Sequence, residues 1–139
     1  LLKTYLDAGL LGLLGFMSFL TLAFTVERYL YFARVDLGSF RRVEDLEIAL
    51  TRHLTVIATV GANAPYVGLL GTVLGILITF HDMGQGGAID TSTIMVGLAL
   101  ALKATALGLL VAMPSIVFYN ALLRRVDVLK ARWGHQASA

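Results

Sequence analysis

Three long apolar runs dominate the chain: Ala8 to Val26, Leu54 to Phe80, and Thr91 to Leu123, the last interrupted only by Lys103. Each reaches the roughly 20 residues that an α-helix needs to cross a hydrocarbon core of about 30 Å. Three spans cannot close a barrel, and lipid leaves few other ways to satisfy the backbone. The pattern therefore predicts an all-α membrane protein with helices over 5–33, 54–81 and 91–131. Asp36-Leu37-Gly38-Ser39 breaks the pattern after the first span, and Ser39 is placed to cap a following helix. Val43, Leu46, Leu50 and Leu54 then recur at helical spacing among charged residues, so an amphipathic segment is expected over 39–53.

Pro65 lies inside the second run. A helix starting there would reach Phe80 in about 24 Å, short of a bilayer, so the helix is expected to start near Leu54 and kink at Pro65. The stretch His81-Asp82-Met83-Gly84-Gln85-Gly86-Gly87 reads as a tight turn, with Asp90 or Thr91 capping the third helix. Thr91 to Leu123 makes about 50 Å of helix, so the second and third helices should both extend beyond the membrane.

Composition and charge sharpen this picture. The chain has 139 residues, 58% of them hydrophobic and 14% charged, with a mean hydropathy of +0.80, which excludes an ordinary soluble domain. Arg28, Arg34, Arg41, Arg42 and Arg52 fall between the first two spans, and Arg124, Arg125, Lys130 and Arg132 follow the third. The positive-inside rule puts those segments in the cytoplasm, with the amino terminus and the 81–92 turn outside. Membrane anchoring accounts for the basic clusters without nucleic acid. The first span ends in Val26-Glu27-Arg28-Tyr29, with no small-residue cleavage site, so it is expected to remain as a helix. Cysteine is absent, which removes thiol chemistry.

Small residues form two seams. Gly61, Ala64, Gly68, Gly71 and Gly75 line one face of the second span, and Gly97, Ala101, Ala104, Gly108, Ala112 and Ser115 do the same in the third. Such seams let membrane helices approach closely. Together they offer more helix contacts than three spans are expected to use internally, which predicts a homo-oligomeric ring. Thr72 shares a face with Gly68, Gly75 and Thr79, and Thr105 shares one with Ala101, Gly108 and Ala112. Counted from the turn, both threonines and Lys103 fall at one level near mid-membrane, as a hydrated waist would. Each threonine alone is ordinarily explained by a bond to its own helix.

Lys103 is the outlying charge. An ammonium at bilayer depth costs about 2.5–3.5 kcal/mol on insertion scales and, when kept, faces a partner or a wet cavity. It stands about 200° around the helix from Thr105, so the two serve different faces. The threonines are expected to line a lumen, while Lys103 faces a neighbouring helix or a side cavity. No carboxylate of the other apolar runs has a matching depth, so its counter-charge is expected on another polypeptide or a neighbouring subunit. Glu27 and Arg28, at the end of the first span, read equally as an interfacial pair or as a dock for the loop helix.

The run Ala64-Pro65-Tyr66-Val67-Gly68-Leu69-Leu70-Gly71-Thr72-Val73-Leu74-Gly75-Ile76 and the run Gly97 to Gly108, followed by Ala112-Met113-Pro114, resemble the MotA/TolQ/ExbB proton-channel family, most closely its ExbB branch. Glu27-Arg28 is similar to that family's acidic-basic pair. The resemblance covers nearly the whole chain. It implies a three-helix subunit of the bacterial inner membrane, assembling as a pentamer around an ExbD-like single-span partner with an intramembrane Asp, and driving a TonB-like protein in siderophore, haem or cobalamin uptake. It also implies that Thr72 and Thr105 are the pore threonines. The chain departs from many such proteins in carrying Leu100 in place of Glu and Lys103 in place of an apolar residue, and in a shorter cytoplasmic loop.

Two other readings remain. A TolQ-like subunit of the Tol-Pal envelope system shares these motifs, and a scaffold without an ion path would share the seams. An enzyme is not expected: His53, His81 and His135 lie at loops or ends, without metal-ligand spacing. No cofactor is expected.

Overall fold

The computed structural model describes residues 2–86 and 90–138, with side chains from residue 4 onward. Its elements are α1 (Leu2–Arg34), a 3-10 turn (Leu37–Ser39), α2 (Val43–Leu50), α3 (Leu54–Gln85) and α4 (Thr91–Ser138). Three of these helices are long and apolar enough to cross a membrane. The chain is an all-helical, multi-pass membrane protein.

Each boundary has a local cause. Asp90 caps α4 by accepting from the Ser92 amide at 3.1 Å and from the Thr93 hydroxyl at 3.0 Å. His53 opens α3 from the left-handed region, at φ 70°. Its ring stacks on Phe24 of α1 at 4.4 Å between centroids. Histidine is among the residues that tolerate this backbone region best.

Two local expectations are corrected. Ser39 does not cap α2: it ends the 3-10 turn, its hydroxyl donating to the Asp36 carbonyl at 2.7 Å, and the cap of α2 is Arg42, without a side-chain bond. Residues His81–Gln85 continue α3 instead of turning, Gly84 included, and the helix ends at Gly86, whose amide still bonds the Asp82 carbonyl at 3.2 Å. Gly87, the last residue of the expected turn, lies outside the described residues. Pro65 is held inside an unbroken α3, and α4 runs for 48 residues, about 72 Å, well past the expected end at 131.

The molecule has two packed zones. At the loop end, Leu46, Leu50 and Leu54 meet Phe32, Ile57, Leu122, Val126 and Leu129 in one buried cluster. The period-of-four stripe of α2 thus buries itself against the far extension of α4. Trp133 donates to the Phe40 carbonyl at 3.0 Å, and Lys130 pairs with Glu47 at 3.3 Å. Toward the turn end, α3 and α4 lie against each other over most of their length, with α1 across both.

Candidate functional site

The α3–α4 crossing is made by glycine. A Cβ on Gly108 would come within 2.6 Å of the Ala64 carbonyl, and one on Gly68 within 2.6 Å of the Ala104 carbonyl. Backbone meets backbone here, which no larger residue permits. Gly71 packs against Ala104 and Leu10, Gly75 against Ala101, and Gly97 against Thr79. The two small-residue seams therefore face each other inside one chain. This corrects the expectation that they exceed internal needs, and they give no argument for further copies.

Close approach brings Thr72 and Thr105 together. Their hydroxyls are in direct hydrogen-bond contact across the interface. Thr72 also donates to the Ala101 carbonyl of α4 at 2.8 Å, while its own-helix acceptor, the Gly68 carbonyl, is far at 3.4 Å. Thr79 behaves conventionally, bonding the Gly75 carbonyl of its own helix at 2.9 Å. So Thr72 is committed across the seam. It is only 8% exposed, whereas Thr105 is half-buried. Within the chain, Thr72 faces α4, and Thr105 is the member that keeps open surface.

Lys103 points elsewhere. It lines a cavity of about 80 Å³ between α1 and α4, opposite Asp7 of α1. Asp7 precedes the first apolar run, so the apolar runs themselves hold no carboxylate near Lys103. The Ser115–Thr21 bond sets the offset of the two helices, and the same offset carried back along them puts Asp7 of α1 near the Ala101–Lys103 stretch of α4. Leu100 lines the same cavity.

Arg28 is the residue for which the sequence offers two equal roles, an interfacial pair or a dock for the loop helix. It is 2% exposed, and its Nη1 donates to the carbonyls of Ala49 at 2.7 Å and Leu50 at 3.3 Å, the last residues of α2. Glu27 binds its other face through two hydrogen bonds. The guanidinium lies 4.4 Å from the Tyr31 ring centre. A cation at a helix C-terminus meets the negative end of the dipole and its free carbonyls. Glu27-Arg28 thus docks the loop helix on α1. Further up the same helix, Ser115 of α4 donates to Thr21 of α1 at 3.2 Å, a contact that the sequence reading did not identify.

A hydroxyl pair in a charge-free helix seam, in a three-span subunit, is the arrangement that a comparison with known proteins can decide. Residues 39–135 match the MotA/TolQ/ExbB proton channel family. The chain belongs to this family. It is 51% identical over 133 residues to a biopolymer transport protein ExbB of Helicobacter pylori, covering 96% of this chain and 92% of that one. It is 56% identical over 132 residues to an ExbB of Aquifex aeolicus, covering 95% and 89%. A Tol-Pal system protein TolQ of Pseudomonas aeruginosa is 40% identical over 87 residues, covering 63% and 38%. Within the MotA/TolQ/ExbB family, the similarity thus favours an ExbB-like proton-channel energiser over a TolQ-like one.

Proposed function

We propose that this chain is the channel and stator subunit of an inner-membrane complex that spends the proton motive force, with an ExbD-like single-span partner, to drive a TonB-like protein and hence uptake across the outer membrane. In this reading the subunits form a homo-oligomeric ring, pentameric by the family resemblance, with the amino terminus in the periplasm. The observation that carries the reading is the Thr72–Thr105 hydroxyl contact inside an uncharged seam.

A threonine hydroxyl both donates and accepts, so it can hydrate an ionised carboxylate without itself being charged. In the proposed cycle, Thr72 is anchored on the Ala101 carbonyl, so Thr105 is the donor in their contact and its free lone pair accepts from the partner's protonated Asp; when that Asp ionises, the Thr105 proton turns from Thr72 to the carboxylate. Protonation of that Asp removes the penalty of moving it along the apolar wall, and its deprotonation on the other side releases the proton. The partner moves while this chain, stiffened by the backbone contact of α3 and α4, stays still. The only bonds made and broken are those of proton transfer, and no enzyme chemistry is invoked.

The test is proton flux through the reconstituted complex of this chain with its partner. Thr105→Val should bring flux to background with assembly intact, and Thr105→Ser should retain it. Wild-type flux in the valine variant would remove the reading. A TolQ-like role has less support, since the TolQ relative matches a smaller part of the chain at lower identity; copurification with a TonB-like or a TolA-like protein separates the two.

A further inference from the structure

Lys103 and Asp7 are the two ionisable side chains lining the cavity between α1 and α4, and the remainder of its wall is aliphatic, including Leu10, Leu14 and Leu107. Two independent contacts fix the relative height of the helices that carry them. Leu10 reaches the Gly71–Ala104 contact, within 2.8 Å of where a Gly71 Cβ would stand. At the other end, Ser115 bonds Thr21, and equal steps back along each helix from that bond reach Asp7 in α1 and Ala101 in α4. Helix packing therefore sets both residues on the wall of one cavity. The direct ion pairs of the described residues, Arg28–Glu27, Arg42–Glu44 and Lys130–Glu47, do not include these two. A cavity of about 80 Å³ between them has room for a few water molecules, each occupying about 30 Å³ in the liquid.

We propose that Asp7 is the counter-charge of Lys103, and that the two form a water-bridged ion pair within each subunit, holding the outer part of α1 against α4 behind the threonine seam. An apolar wall weakens screening, so opposite charges facing one small cavity attract strongly. Both side chains are exposed on the surface of the single chain, and at bilayer depth a charge without a partner is costly. The pair adds a polar tie between α1 and α4 at their outer end, beyond the Ser115–Thr21 bond that joins them further along. Asp7 and Lys103 are positioning residues, and the lysine needs no anion from another polypeptide. The pairing does not depend on ion conduction.

A double-mutant cycle on this chain in lipid nanodiscs, without partner, tests it by thermal unfolding. Asp7→Asn and Lys103→Met should each lower the melting temperature by several degrees. The double neutral variant should recover most of that loss, and the exchange Asp7→Lys with Lys103→Asp should recover it as well, because coupled sites are non-additive. Additive losses in the double variant, or a Lys103→Met effect that appears only when the partner's helix is present, would overturn the pairing. If proton flux fails its own test while the cycle still shows coupling, the channel reading falls and the ion pair stands.

Discussion

At the scale of single residues, polar groups in the apolar zone are few, and those at the α3–α4 crossing are engaged, whereas the buried Thr25 hydroxyl of α1 has no hydrogen-bond partner among the described residues. Thr72 gives its proton across the helix interface to Ala101, although an acceptor on its own helix lies four residues back. That choice needs α4 within reach, which only the glycines at the crossing allow. Arg28 spends its donors on the end of α2 and on Glu27. Hydrogen bonds to a charged group contribute about 1.5–3 kcal/mol each, so Arg28→Ala should destabilise the protein by about 3 kcal/mol, and Arg28→Lys by less. Limited proteolysis of the 35–53 segment measures this, since a released α2 becomes cleavable; an unchanged cleavage rate in Arg28→Ala would show that the cap does not hold the segment.

At the scale of elements, the α3–α4 pair is the rigid unit, and its closeness depends on which glycines lie in the seam. A methyl at Gly108 would press on the Ala64 carbonyl, a backbone atom that cannot rotate away. Gly108→Ala should therefore separate the helices and cost about 1–3 kcal/mol through overpacking. Gly15 of α1 has nothing within 4 Å of its added Cβ, so Gly15→Ala should be neutral or stabilising by about 0.5–1 kcal/mol. Melting temperatures of the two variants side by side check the contrast, and equal shifts would contradict the packing account. The amphipathic stripe of α2 was legible as periodicity, but its cap was not: Arg28 is distant in sequence from Ala49 and Leu50, and no local signal links them.

At the scale of the whole molecule, the chain by itself leaves large apolar side chains such as Phe16, Phe19, Met113 and Val117 exposed. Lipid covers such a surface, and so do copies of the chain. The proposed ring predicts a single closed oligomer in native mass spectrometry from mild detergent, with monomer as the contrary result. That prediction now rests on the family resemblance and not on the seams, which α3 and α4 use on each other. The family itself was readable from the Ala64–Ile76 and Gly97–Gly108 runs, because those residues are set together by packing and polarity at one crossing.

Hydrophobic run length, the placement of Lys and Arg, and the spacing of small residues determined that this is a three-helix membrane protein and where its helices lie, because lipid imposes its demands on local composition. Relative helix height was decided only by tertiary structure. It made Thr72 turn to α4, closed the two seams on each other, and brought Asp7 level with Lys103. The physical reason is that no residue carries information about the vertical offset between helices: that offset follows from the sum of side-chain contacts along the interfaces, each weak and made between residues distant in the chain.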